Sequence, residues 1–269
     1  MIVISKVSPF VLSLLGVWLA LVLQPTPSKA GSYLQDAGKG LWIFSTRTME
    51  SQLAHDGEGY IVDAPRYRKI ETSLLFEYGL TDDVTLVLNP AFSNVRLETP
   101  FGERKADQIS SFEAGARWLV AGFENGDLTL QALLRVPGRS DPFFSLENRP
   151  RTELRLGFGQ PVDVYGRDGF LDISLAMIKR QESLPDELRL DATLGWWMGP
   201  NRMMLVQYFN TAWPGRDAPA FVPRHHKIET STVFRLNREW SLQFGTFLSS
   251  GGVATRRERG TLMAVWRRF

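Results

Sequence analysis

From residue 41 onward, apolar and polar residues alternate with period two in segment after segment, and stripes of helical period are almost missing. Residues 67–79 are the cleanest case, with Ile70, Thr72, Leu74, Phe76 and Tyr78 on one face and Lys69, Glu71, Ser73 and Glu77 on the other. Residues 108–121 set Phe112, Ala114, Ala116, Trp118 and Val120 against Glu113, Gly115 and Arg117, and residues 127–137 set Leu128, Leu130, Leu134 and Val136 against Thr129, Gln131 and Arg135. Residues 151–160, 188–198 and 224–236 repeat the scheme, placing Glu153 and Arg155, Arg189 and Asp191, and Lys227, Glu229 and Arg235 opposite apolar sets. Weaker alternation covers 41–53, 84–96, 169–182, 202–212, 240–249 and 260–269, which brings the expected strands to twelve.

The connections alternate in length. Those at 54–66, 97–107, 138–150, 183–187, 213–223 and 250–259 are mostly long, and those at 80–83, 122–126, 161–168, 199–201 and 237–239 are mostly short. Strands of about ten residues, even in number, with short turns at one end and long loops at the other, are how outer-membrane barrels are built. The expected fold is therefore all-β: a transmembrane antiparallel up-and-down barrel spanning 41–269, with both termini periplasmic and the longer loops outside. Lys69–Ser73 and Lys227–Ser231 both read KIETS, each opening a strand that a short polar turn ends. Nothing recurs at a fixed short period, so neither a solenoid nor a propeller is indicated.

The first thirty residues differ from the rest. Met1–Lys6 carries one positive charge, Val11–Leu23 is nearly all apolar, and a polar, Pro-containing stretch ends in Ser28, Lys29 and Ala30. That order predicts a secretory signal peptide over 1–30, cleaved after Ala30, and leaves 31–40 as a periplasmic N-terminal segment. The apolar run is shorter than the ~20 residues that a spanning helix needs. Over all 269 residues, 31 basic and 29 acidic side chains nearly balance, which gives no electrostatic reason for nucleic acid to bind. Mean hydropathy of −0.14 excludes a bundle of membrane helices. The sequence has no cysteine, which removes disulfides, thiolate metal sites and cysteine nucleophiles together.

A soluble sandwich would carry the same alternation with its apolar face turned inward. Three features favour a barrel in the outer membrane of a Gram-negative bacterium. The polar faces hold Lys69, Glu71, Glu77, Glu113, Arg117, Arg135, Glu153, Arg155, Arg189, Asp191, Lys227, Glu229 and Arg235, a charge density natural to a wet lumen. Tyr78, Trp118, Trp196, Trp197 and Trp240 gather near the short turns, where an interfacial aromatic girdle lies. The chain ends in Phe269, and an aromatic last residue resembles the signal read by the barrel assembly machinery.

Tyr67–Pro90 and Leu184–Trp197 resemble hallmark segments of the XagA-like proteins, relatives of the MetA-pathway phenol-degradation outer-membrane family. The resemblance implies an outer-membrane barrel that serves either exopolysaccharide synthesis or aromatic-compound catabolism. It transfers no catalytic residue to this chain.

An enzyme is not expected. His55, His225 and His226 fall in or beside the long connections without a nucleophile motif or spaced carboxylate pair, and Asp82 and Asp83 sit in a short turn at the other end. His225 and His226 point to opposite faces of a strand, so no metal is expected, and no cofactor. The expected function is a passive conduit for export of an extracellular polysaccharide, its lumen lined by mixed Arg/Lys and Glu/Asp. Its partners would be outer-membrane lipid, the assembly machinery and an inner-membrane polysaccharide synthase. The alternatives are an uptake channel for small aromatic or apolar solutes, along an inner route such as Leu75, Leu119 and Leu133, and a structural or surface-adhesive barrel without transport, whose six outer loops bind a partner.

Overall fold

The computed structural model describes residues 34–138, 150–180, 186–212 and 223–269. The expected signal peptide, with its cleavage after Ala30, lies outside the described residues. The strands are β1 (Gly40–His55), β2 (Ile61–Thr81), β3 (Val84–Thr99), β4 (Gly102–Phe123), β5 (Gly126–Pro137), β6 (Arg151–Asp163), β7 (Asp168–Arg180), β8 (Glu187–Gly199), β9 (Arg202–Ala212), β10 (Arg224–Arg235), β11 (Trp240–Val253), β12 (Thr255–Arg256) and β13 (Arg259–Arg268). β12 is a two-residue extension that pairs with Ala54 and His55 of β1. The other twelve each pair antiparallel with their neighbours, and β1 meets both β2 and β13, so the sheet closes into a barrel. Closure satisfies every edge, which a strand crossing hydrocarbon requires.

At one end the turns are short. Residues 82–83, 124–125 and 200–201 connect their strands in two residues, and 164–167 and 236–239 in four. Turn side chains replace backbone partners there: Asn237 Oδ1 accepts from the amides of Glu239 and Trp240 at 2.9 and 2.8 Å, and Asp163 Oδ1 from that of Gly166 at 2.7 Å. β1 begins and β13 ends at this same end.

The other end departs from the sequence reading. Residues 97–107 were expected as a connection, but β3 and β4 stay paired to Thr99↔Gly102 and turn over Pro100 and Phe101. Likewise 54–66 shrinks to residues 56–60, and 250–259 holds the end of β11 and all of β12. Alternation fades in these stretches because both faces meet water above the membrane, yet the ladder hydrogen bonds continue and need no apolar face.

The closed sheet also decides which face is inside. Phe44, Ile70, Phe92, Phe112, Leu134, Leu154, Leu175, Leu248 and Met263 are about half exposed on the outer wall, whereas Ser93, Thr129, Gln131, Ser174, Glu229, Ser231 and Gln243 are buried on the inner one. A soluble protein buries the opposite set. An apolar exterior around a polar interior is the arrangement of a membrane barrel.

Candidate functional site

The lumen holds a cavity of about 990 Å³ whose walls include Arg47, Glu77, Arg117, Arg155, Asp191, Glu229 and Arg235. Charge reaches it from inward positions of several strands, and some long side chains pair past the strand between them. Arg117 on β4 donates to Glu77 on β2 at 2.8 Å, reaching over β3, and to Gln131 on β5 at 2.9 Å. Arg155 on β6 donates to Asp191 on β8 at 2.6 Å, to Ser174 on β7 at 2.8 Å and to Glu153 at 2.8 Å. Glu153 then faces Arg189 at 3.7 Å, and Arg189 and Arg180 both reach Glu187. Glu113 joins Arg135 at 3.4 Å and accepts from Asn89 at 3.0 Å.

One pair spans more of the wall. Arg47 on β1 lies 3.3 Å from Glu229 on β10, although β13 and β11 stand between those strands. By register the row between them runs Leu262, Gly245 and Ser231, and a Cβ at Gly245 would come within 2.5 Å of the Ser231 Cβ. Such a chord narrows the lumen. Glu229 Oε1 and Asp191 Oδ1 are buried without a hydrogen-bond partner among the described residues.

Lys69, Glu71 and Lys227 lie away from this cavity, whereas Arg235 borders it at the short-turn end. Lys69 pairs with Glu71 at 2.6 Å, and Lys227 with Glu258 at 3.1 Å. Arg235 stacks over the Trp197 ring, 4.1 Å from its centroid, at the short-turn rim.

That contact corrects one member of the expected girdle. Trp197 alternates with Trp196 and so points inward, where it packs with Trp266 on a buried cluster of Phe170, Met203, Leu205 and Val233. Trp118 stands on the outer wall, and Trp240 meets Trp42 edge-on at 5.4 Å. Trp42 belongs to a weakly alternating strand, which hid it. Phe269 stacks on Phe76, with ring centroids 6.1 Å apart, across the seam where β13 meets β1.

The expected periplasmic segment 31–40 is described from residue 34, and it does not hang free. It turns into the short-turn mouth, where Leu34, Gln35, Asp36 and Lys39 join the cavity wall. The Gln35 amide donates to Thr85 Oγ1 at 2.8 Å and its side chain to Glu77 at 2.9 Å, while the Ala37 amide donates to Asp82 at 3.0 Å. A Cβ at Gly79 would come within 2.2 Å of the Asp36 carbonyl oxygen, so this close approach requires glycine there. Asp36 holds the Lys39 ammonium above its ordinary pKa, first through a 2.7 Å hydrogen bond and then through charge. The sequence reading missed Gln35, Arg47, Glu187 and Glu258; Arg47 shares an inward face with Leu41 and Ile43, so no charged stripe announced it.

The histidines make local contacts. His55 Nδ1 lies 3.0 Å from the Gly59 carbonyl, His226 Nδ1 lies 2.8 Å from the Tyr208 hydroxyl, and His225 Nε2 lies 3.4 Å from the Thr211 hydroxyl.

No family model matches the sequence, and no curated protein matches it. Solved structures do resemble the barrel. An outer membrane channel from Pseudomonas putida F1 is similar with a TM-score of 0.72 and 12% identity over 91% of this chain and 100% of that one. The translocator domain of the autotransporter NalP from Neisseria meningitidis has a TM-score of 0.52 and 12% identity over 97% of this chain and 95% of that one. The KdgM porin has a TM-score of 0.52 and 8% identity over 84% of this chain and 99% of that one. The chain therefore has an outer-membrane β-barrel fold. At these identities the likeness carries the barrel implied by the XagA-like resemblance and nothing narrower.

Proposed function

We propose that the chain is a passive conduit in the outer membrane of a Gram-negative bacterium, carrying small polar or amphipathic solutes through its lumen. One observation carries this reading: a cavity of about 990 Å³, lined both by paired charges and by an apolar cluster, lies inside a wall that is apolar outward. That volume suits small molecules. The fold is shared with proteins named as a channel and a porin, which supports a conduit. From this cluster Phe170, Met203 and Leu205, with Trp197 and Trp266, line the cavity, and this apolar patch favours uptake of small aromatic solutes along this side. Leu75 also lines the cavity.

Export of an extracellular polysaccharide is the second reading, favoured by the charged wall. Arg and Glu side chains can hydrogen-bond sugar hydroxyls, and Glu229 Oε1 and Asp191 Oδ1 are acceptors without a partner among the described residues. A polymer in transit would have to displace residues 34–39 from the mouth, and an inner-membrane synthase would set its direction. In either reading the partners are outer-membrane lipid and, during biogenesis, the barrel assembly machinery.

The test is conductance of the purified protein in planar bilayers, together with a deletion strain assayed for aromatic-solute uptake and for secreted polysaccharide. Conductance with impaired uptake supports the first reading. Impaired secretion with normal uptake supports export. Absent conductance with neither phenotype refutes both and leaves a structural or adhesive barrel.

A further inference from the structure

The outer wall at the loop end carries a row of cations that the lumen does not use. By register Arg259 faces Glu50, Glu50 faces Arg68, Arg68 faces Arg96, and Arg96 faces Lys105, so the row crosses β13, β1, β2, β3 and β4. These side chains alternate with the inward Lys69 and Val95 and point outward; Arg259 is 79% exposed and Lys105 56%. Glu50 engages Arg259 at 2.8 Å, and Glu103 engages Lys105 at 3.0 Å. Among the described residues, Arg68 and Arg96 have no carboxylate within 4 Å; Glu50 stands opposite Arg68 in the ladder, and the charges of both arginines reach Glu103, whose carboxylate is already engaged by Lys105.

Two things about the row call for an anion. Like charges directly opposite one another on neighbouring strands are destabilising. Three of them, Arg68, Arg96 and Lys105, stand here side by side. The height of the row is equally telling. On the same wall the outward residues run from Leu80 to Ile70 before Arg68 is reached, ten residues that cover about 25 Å of depth at about 3.3 Å per residue and a tilt near 40°. Phe92 and Ile109, about half exposed, lie below Arg96 and Lys105. The row therefore stands at the upper edge of the apolar band, where lipid headgroups begin. Arg66, Arg68, Arg96 and Arg259 also border a cavity of about 1300 Å³ at this end.

We infer that this row binds the phosphate groups of a phosphorylated glycolipid of the outer leaflet. Arginine forks pair phosphate oxygens two at a time, and charge-assisted bonds of this kind are the strong ones. The acyl chains of the same lipid would lie on Ile70, Phe92 and Ile109. The inference rests on the proposed placement in the outer membrane with the loop end outward.

The test uses the full mature protein, refolded in detergent, and the variant Arg68→Gln/Arg96→Gln/Lys105→Gln. Binding of diphosphorylated lipid A is measured against dephosphorylated lipid A, with inorganic phosphate as competitor. The variant should bind diphosphorylated lipid A at least about tenfold more weakly, since each cation near an anionic lipid surface contributes about fivefold. Dephosphorylated lipid should bind both proteins alike, and millimolar phosphate should not compete. Equal binding of diphosphorylated lipid by both proteins overturns the inference, and competition by free phosphate assigns the row to a soluble anion instead. Unchanged electrophoretic heat-modifiability keeps misfolding apart from lost binding. Orientation is read separately with Phe101→Cys, the only cysteine in that variant, on whole cells: labelling by an impermeant maleimide places the loop end outside. Protection of that cysteine rejects the orientation and the inference with it.

Discussion

Arginine at Leu194 tests the assignment of the two faces most directly. β8 presents Leu188, Leu190, Ala192, Leu194, Trp196 and Met198 outward, and Thr193 and Trp197 line the cavity. The ten-residue outward run from Leu188 to Met198 covers about 25 Å of depth, so its midpoint falls at residue 193 and Leu194 lies about 2.5 Å from the midplane. A lipid-facing arginine at that depth costs about 2 to 4 kcal/mol. Met198 lies about 13 Å from the midplane, at the interface, where the same substitution costs about 0 to 1 kcal/mol. Thr193→Arg enters the lumen beside Gln207, whose amide donates to Thr193 Oγ1 at 3.2 Å, and meets a wet, charged wall with Asp191 on the same face. The assay is reversible denaturant unfolding in lipid vesicles, each variant against wild type. The expected order of destabilisation is Leu194→Arg well above Met198→Arg, with Thr193→Arg nearer the latter. Equal losses at 193 and 194 would falsify the facing, and equal losses at 194 and 198 would remove the membrane from the explanation.

Two further predictions concern the lumen. Gly79→Val should expel residues 34–39 from the mouth, because its Cβ would collide with the Asp36 carbonyl, and single-channel conductance should rise while the barrel remains heat-modifiable; an unchanged conductance would show that the segment does not limit the pore. Glu229→Gln removes the negative partner of Arg47 at a residue only 1% exposed, so it should shift ion selectivity toward anions and destabilise the barrel by about 1 to 2 kcal/mol, discounted because Arg47 is partly solvated; unaltered selectivity in bilayers would place the pair outside the conducting path.

Period-two alternation was enough to locate the barrel strands to within a few residues wherever one face meets lipid and the other meets the lumen. It failed above Ile70 and Asn94, where β2, β3 and β4 rise into water and no solvent contrast separates the faces. It also misjudged Trp197, since adjacent tryptophans at 196 and 197 share a depth but cannot share a face.

By itself, the sequence determined that the chain makes strands with two unlike faces, that short polar turns join them at one end, and that charge is concentrated on one face. Those are local properties, set by a side-chain repeat of two residues and by turn chemistry. Only closure decided that the charged face is the inside, because a sandwich and a barrel share one alternation and differ in which surface is enclosed. Closure also chose the partners. Arg47 and Glu229 lie far apart in sequence and on strands that do not touch, and they meet because β13 joins β1 and curves the wall around. The N-terminal segment finds its place for the same reason: Gly79 and Asp82 become a berth for residues 35–37 only once the barrel has a mouth to fill.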